Sequence, residues 1–208
     1  MNIRTLKQDL FITLRLRISS GEKSRFSGII QKGFGLKILV GVSIKTFLCD
    51  FWALDPRYIQ ERISTIFLDG KAVDNIEEAI ILEGSVLALS SAMPGLAGAT
   101  LRRDGVYASL RESITYKEKA GNGRIKEGLI TLKLFNLLID DIGHLFLQKG
   151  IIVKSRELQS FFVKQPDSVW RNCSEILLDR RPVDHENLLV GDRLIQHDEV
   201  ELTVLIDR

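Results

Sequence analysis

The residues best suited to do chemistry are two adjacent arginines, Arg102 and Arg103, which follow a run of small residues. Residues 93–103 read MPGLAGATLRR, and the run includes Gly95 and Gly98. A guanidinium pair can hold a phosphate or a carboxylate, and glycines let the backbone approach another surface closely. The segment lacks the Gly-x-x-x-x-Gly-Lys-Ser/Thr pattern of a P-loop. It predicts either a ligand site built on these four residues or a tight, buried connection between two strands.

The sequence gives weaker indications of a metal site or of a catalytic nucleophile. Asp140, Asp141 and His144 fall at helical spacing and could begin a metal site, but the chain has no spaced Cys/His pairs to complete one. Cys49 and Cys173 have no neighbouring catalytic signature, and no serine lies in a Gly-x-Ser-x-Gly elbow. We therefore predict no catalytic residues, no metal ligands and no cofactor, and we favour a protein that is not an enzyme.

Nucleic-acid binding is a further hypothesis, and it rests on the basic first portion of the chain. Residues 1–49 carry nine Lys/Arg against two acids, a balance of 9 − 2 = +7. Arg15 and Arg17 alternate with leucines, so they would share one exposed face of a strand. Phosphate binding requires such clustering, but aromatic residues for base stacking are not interleaved with it. The alternative is an ordinary solvated surface.

The elements that would position these residues come from an internal repeat. Residues 56–74 match residues 166–184 at seven of nineteen positions without a gap, and both contain a turn phrase, LDGKAVD in the first and LDRRPVD in the second. The strand-like stretches at 11–18 (FITLRLRI) and 129–135 (LITLKLF) also correspond. The chain therefore reads as two tandem, divergent copies of one small unit.

Within each copy the local signals are those of alternating strands, short helices and turns. Ser43 and Ser155 precede apolar runs and suit helix N-caps. Residues 139–149 show helical spacing and are followed by a glycine, which suits the position just past a helix end. Asp69 and Asp179 open the predicted turns, where carboxylates usually bond nearby backbone N–H groups. The predicted fold class is α+β, with two related small domains.

Predicted domain boundaries follow the repeat. The first copy is assigned to residues 1–116, with an extra hairpin signalled by Asp104 and the glycine after it. Residues 117–127 are charged and glycine-rich and form either a linker or a hairpin tip. Residues 128–208 form the second copy.

At residues 66–74 and 176–184 the chain resembles the second half of a β-grasp, or ubiquitin-like, domain. In that fold a helix leads into a strand, a turn, a short excursion and a final strand. The stretch at 198–204 (DEVELTV) is similar to such a closing strand. The resemblance implies two tandem β-grasp-like domains, and it assigns no chemistry.

Composition is that of an ordinary globular protein, with 45% hydrophobic and 27% charged residues and a net charge of +2. No stretch approaches the ~18 to 20 uninterrupted apolar residues of a membrane span. Two cysteines at non-equivalent positions favour a reducing compartment, so we expect a cytoplasmic protein without a membrane partner. The leading hypothesis is a non-enzymatic interaction or assembly module that binds a protein, with self-association as an option. The alternatives are a small-molecule-binding protein or enzyme that uses residues 93–103, and the nucleic-acid hypothesis.

Overall fold

The fold contains both helices and a large mixed set of strands, so the predicted α+β class is confirmed. This computed structural model describes residues 11–91, 95–103, 105–107, 110–111, 114–116, 124–190 and 193–207. Contacts divide the chain into two compact units. Unit 1 combines Met1–Ile29 with His144–Arg208, and unit 2 is Ile30–Gly143.

Strands and helices are numbered in chain order. The strands are β1 (Ile12–Ile18), β2 (Phe34–Val40), β3 (Val42–Ser43), β4 (Thr65–Leu68), β5 (Lys71–Ala72), β6 (Ile80–Ile81), β7 (Val86–Ser90), β8 (Lys126–Phe135), β9 (Ile151–Lys154), β10 (Cys173–Leu178), β11 (Arg181–Pro182) and β12 (Glu199–Ile206). The helices are α1 (Ser27–Ile30), α2 (Pro56–Arg62), α3 (Gly95–Leu101), α4 (Leu138–Lys149), α5 (Ser155–Val163), α6 (Asp167–Arg171) and α7 (His185–Val190), with a 3-10 helix at Ser20–Phe26 and a π-helix at Thr46–Phe51. In the part of the chain that the structure describes, no helix combines the length and the apolar character that crossing a bilayer requires.

Unit 1 places its strands in the order β11-β10-β1-β12-β9. The central strand is β1, which runs antiparallel to β10 and parallel to β12. Side chains alternate between the two faces of a strand, so the sequence ITLRLRI puts its leucines and isoleucines in the core and leaves Arg15 exposed. Leu158 and Phe162 of α5 are fully buried and complete this core.

Unit 2 places its main strands in the order β2-β8-β7-β4-β5, and β3 pairs separately with β6. The strand β8 runs antiparallel to β2 and parallel to β7. Ile130, Leu132 and Leu134 of β8 are buried in the core. β8 is thus an inner strand of unit 2, as β1 is of unit 1, and each is hydrogen-bonded on both sides, although the central place of unit 2 is held by β7.

These inner strands come from distant parts of the chain. β1 belongs to the predicted first copy but completes unit 1, whose other four strands lie after residue 150. β8 opens the predicted second copy but completes unit 2. The predicted division at 117–127 separates two copies in the sequence and stays a prediction. The compact units do not follow this division, because each of them takes strands from both predicted copies. Residues 117–123 and Asp104 of the predicted hairpin lie outside the described residues.

The repeated turn phrase has the same geometry in both units. Asp69 and Asp179 both adopt a positive φ, 51° and 48°. In unit 2 the Asp69 N–H donates to the Val86 carbonyl (2.9 Å), and the Val86 N–H donates to Asp69 Oδ1 (2.8 Å). In unit 1 Asp179 makes the same pair of bonds with Thr13, at 2.8 and 2.9 Å. Each carboxylate therefore bonds backbone, as predicted, but on a neighbouring strand beyond its own turn.

The two predicted N-cap serines behave differently. Ser43 Oγ accepts the Thr46 N–H at 3.1 Å, so that capping bond is confirmed. Ser155 is instead the first residue of α5, and Lys154 occupies the N-cap position. The Ser155 hydroxyl is buried and has no hydrogen-bond partner among the described residues. The prediction is wrong there because β9 passes directly into α5, which moves the cap one residue earlier.

Candidate functional site

The segment that follows β7 carries all four predicted ligand residues and belongs to unit 2. We call residues 95–116 the insert; its first part is α3, and Met93 before it lies outside the described residues. Gly95 opens α3 with a φ of +74°, a conformation that favours glycine. Gly98 is buried inside α3, and its carbonyl accepts the Arg102 N–H at 3.0 Å. Both glycines thus shape the helix.

Arg103 is the predicted ligand residue that the structure places at a cavity. Its backbone N–H donates to the Ser64 carbonyl at 2.7 Å, and its guanidinium donates to the Ile59 carbonyl at 3.3 Å. These bonds hold the half-buried side chain against α2. Arg102 is exposed, and neither it nor the two glycines are among the residues that line the cavity. The predicted set of four is therefore separated, with Arg103 alone at the concave surface.

The cavity, which we call the Arg103 pocket, has a volume of about 520 Å³. Its walls come from the π-helix, from α2, from the turn after β5 and from Arg103, which follows α3 in the insert. The turn is held in place because the Lys45 N–H donates to the Ile76 carbonyl at 2.9 Å. The polar and charged side chains that line it are Lys45, Cys49, Gln60, Asp74, Asn75, Glu77 and Arg103.

Charges at the pocket are arranged in pairs. Lys45 Nζ lies 2.6 Å from Glu77 Oε1, and this hydrogen bond lowers the pKa of Glu77 and raises the pKa of Lys45. Burial raises the pKa of the Cys49 thiol, and the nearby Asp50 raises it further. The Cys49 thiol is therefore protonated at neutral pH and is not an activated nucleophile.

Arg111 anchors the insert from the inside. Its side chain is only 3% exposed, and its guanidinium is ion-paired with Asp74. The same guanidinium donates to the Thr100 carbonyl at 2.7 Å and to Thr115 Oγ1 at 3.3 Å. Sequence reasoning missed this residue, because nothing in its neighbourhood distinguishes it from a solvated arginine. The only sequence signal for the pair is that Asp74 recurs as Asp184 in the repeat.

The end of the insert covers one edge of the unit 2 strands. Thr115 forms a parallel bridge with Ala72 of β5, and the Tyr116 N–H donates to the Ala72 carbonyl at 2.7 Å. β5 is the last strand in the unit 2 order. The insert therefore occupies hydrogen-bonding groups that an outer strand would otherwise present to another chain.

The outer surface of the insert is unusually apolar. The structure describes eleven exposed large apolar side chains, and five of them lie in this short segment. Val106 is 93% exposed, Leu96 84% and Leu110 73%. We call these five the exposed apolar set: Leu96, Val106, Tyr107, Leu110 and Ile114. Scattered single exposures are normal on a protein surface, and large contiguous apolar patches are typical of interaction sites.

Of the three residues weighed as the start of a metal site, Asp141 is engaged in other bonds. Asp141 accepts from Arg62 at 2.8 Å and from the Tyr58 hydroxyl at 3.2 Å. Burial, followed by the charge of Asp141, raises the pKa of Tyr58 to about 12. Burial also lowers the pKa of His144 in unit 1, with Lys23 adding to the effect. Over the described residues, no group of three potential metal ligands occurs.

The arginine face of β1, on which the nucleic-acid hypothesis rests, is partly neutralised. Arg17 lies 3.4 Å from Asp207 and 4.0 Å from Glu175. Thr13, on the same face, is held by Asp179. Arg15 is exposed on this face. Paired cations release fewer counterions on binding phosphate, so this face offers less to a nucleic acid than the sequence count predicts.

The chain matches no protein-family model, no curated protein and no solved structure. What unit 2 can do is therefore inferred from its own geometry. The insert has an inward side that carries Arg103 and Arg111 and an outward side that carries the exposed apolar set.

Proposed function

We propose that this chain is a non-enzymatic protein-interaction module whose contact surface is the exposed apolar set. The observation that carries the proposal is the inverted polarity of two neighbouring residues. Arg111 is 3% exposed, whereas Leu110 is 73% exposed. Apolar surface gains about 25 cal/mol per Å² when it is removed from water. A segment that buries its arginine and exposes its leucine is therefore stabilised when another surface covers it.

Contact through side chains fits this protein better than strand addition at the outer edges. In unit 2 the insert already bonds to β5 through Thr115 and Tyr116. In unit 1 one of the two outer strands is β11, which has two residues, and one of them is Pro182. Proline has no N–H to donate to a partner strand. The exposed apolar set therefore offers the better contact surface.

Charge favours a partner with an acidic rim. Residues 95–126 carry seven bases and three acids, and without the inward-facing Arg103 and Arg111 the balance is 5 − 3 = +2. The remaining parts of unit 2, residues 30–94 and 127–143, carry seven bases and eleven acids, a balance of 7 − 11 = −4. Complementary charge steers association and sets specificity. The partner class is therefore a protein with an apolar groove bordered by acidic side chains.

A protein groove suits the insert better than a lipid surface does. Surface-bound segments on membranes are typically continuous amphipathic helices that lie in the interface. The described insert instead consists of a seven-residue helix followed by turns. Its backbone bonds to its own unit, as the Arg103 and Tyr116 N–H groups show. Compact turns with exposed apolar tips fit pockets on another protein.

For the fold, the proposal is that both units derive from one duplicated β-grasp-like unit. The succession of helix, strand, turn and short strand occurs as α2-β4-β5 in unit 2 and as α6-β10-β11 in unit 1. The matching bonds of Asp69 and Asp179 support this equivalence. The strand that these aspartates bond is β7 in unit 2 and β1 in unit 1. The two units therefore differ in which part of the chain supplies the central strand: β7 follows β4 in unit 2, whereas β1 precedes β10 in unit 1.

The test compares Val106→Asp combined with Leu110→Asp against Val163→Asp. Val163 is a matched control because it is 63% exposed but lies in unit 1. A partner captured by the wild-type chain is purified, and its Kd is measured against all three proteins. Loss of buried apolar anchors costs 2 kcal/mol or more, so we expect the double variant to bind at least about 30-fold more weakly and the control to bind normally.

Three outcomes would contradict the proposal. The first is equal affinity for the double variant and the wild type. The second is a wild-type chain that forms a dimer in light scattering through these positions, which would make the occupant a second copy. The third is sedimentation with anionic vesicles that is lost in the double variant, which would make the occupant a lipid surface.

A further inference from the structure

The Arg103 pocket has the features of a ligand site that the interaction proposal does not use. Its volume of about 520 Å³ lies in the range of small-molecule sites. None of its lining residues belongs to the exposed apolar set. Arg103 is held by its own backbone N–H and by the Ile59 carbonyl, so its guanidinium is positioned before any ligand arrives. A side chain that is already positioned loses less conformational entropy when the ligand binds, so the entropic cost of binding is lower.

Two cationic side chains from different elements line this pocket, and each can contact an anion. Lys45 and Arg103 line it as cations, and Asp74 and Glu77 line it as anions. Asp74 is ion-paired with Arg111, a third cation. A guanidinium binds carboxylate and phosphate oxygens through two parallel N–H groups, which gives geometric selectivity as well as affinity.

We propose that the Arg103 pocket binds a small organic anion through a carboxylate or phosphate group on Arg103. Lys45 is the second cation for this group, and it can turn from Glu77 to the ligand because both side chains are more than half exposed. Gln60 and Asn75 supply amide groups for the polar remainder of the molecule. The site lies in unit 2 and is independent of the partner that covers the exposed apolar set.

Cys49 provides the reporter for the test, because its thiol lines the pocket. The full-length protein is treated with iodoacetamide, and the modified fraction of each cysteine is followed by mass spectrometry. Pyrophosphate and citrate serve as probes, and sodium chloride at the same ionic strength is the control. A probe at about ten times its Kd should slow the alkylation of Cys49 about tenfold. Cys173 is the internal control, since it lies in unit 1 and should react at an unchanged rate.

Two variants assign the effect to the guanidinium. Arg103→Gln should abolish the protection of Cys49, whereas Arg102→Gln should retain it, because Arg102 is exposed and does not line the pocket. If Arg103→Gln does not fold, Lys45→Gln replaces it, since this half-exposed lysine can change without disturbing the core. Lys45→Gln should weaken the protection several-fold.

Each result decides the proposal. Protection by pyrophosphate alone identifies a phosphate ligand, protection by citrate alone identifies a carboxylate ligand, and protection by both identifies a general oxyanion site. Protection by neither probe would overturn the proposal. So would protection that persists in Arg103→Gln, or equal protection of Cys49 and Cys173.

Discussion

Residues 30–143 will fold as an isolated fragment, whereas residues 1–116, the predicted first copy, will not. The two fragments have nearly the same length, 114 and 116 residues, so each is a control for the other. The first contains every strand of unit 2. The second lacks β8, which lies between β2 and β7. Removing an inner strand leaves the hydrogen-bonding groups on both of its neighbours without partners.

The expected effect is large because of what β8 buries. Ile130, Leu132 and Leu134 are each at most 1% exposed. Burying a leucine or isoleucine side chain contributes about 1.5–3 kcal/mol, so the three contribute about 5–9 kcal/mol. The whole stability of a domain is about 5–15 kcal/mol. The loss of β8 therefore removes most or all of the free energy of unfolding of unit 2.

Urea unfolding followed by circular dichroism, with amide NMR spectra, checks this expectation. The fragment 30–143 should unfold cooperatively and give dispersed amide signals. The fragment 1–116 should give neither. A cooperative transition in 1–116 would mean that β1 takes the place of β8, and it would contradict the interleaved arrangement of the two units.

Arg111→Met will release the insert while the strands of unit 2 remain folded. The substitution keeps a long apolar stem but removes the ion pair with Asp74 and the bond to the Thr100 carbonyl. Breaking a buried pair from one side costs about 3–5 kcal/mol. The Asp74 side chain is 32% exposed and regains water, so we expect the lower end, about 3 kcal/mol.

Amide hydrogen exchange measures this release directly. The Tyr116 N–H, which bonds to the Ala72 carbonyl, should exchange about a hundredfold faster, as about 3 kcal/mol requires. Amides of β7 and β8 should exchange at wild-type rates. Arg102→Met, at an exposed arginine of the same segment, should leave Tyr116 protected. Unchanged exchange at Tyr116 in Arg111→Met would show that the arginine does not anchor the insert.

The sequence predicted the elements of this fold better than their partners. The alternation of β1, the helix at 138–149 and the turns at Asp69 and Asp179 follow from side-chain periodicity and turn chemistry, which are local properties. Which strand takes the inner place is not local. The cores of β1 and β8 read ITLRL and ITLKL, so either would fit the same position. Which of the two strands enters which unit therefore depends on the fold of the whole chain.

The candidate site was predictable to the same extent. Glycines and arginines drew attention to residues 93–103, and Arg103 does line a cavity. Lys45, Cys49 and Glu77 reach that cavity from elements far from Arg103 in the chain, and no spacing rule connects them. Arg111 was not predictable, because an arginine is normally exposed and its burial depends on an aspartate 37 residues away.

The most direct test of the interaction proposal places a photo-crosslinking residue, p-benzoylphenylalanine, at Leu110 or at Val163 of the full-length chain in its own cells. Both positions are exposed, and only Leu110 belongs to the exposed apolar set. We predict one discrete adduct with another protein from position 110, lost when Arg111→Met releases the insert, and none from position 163. The absence of an adduct at position 110, or the same adducts from both positions, would contradict it.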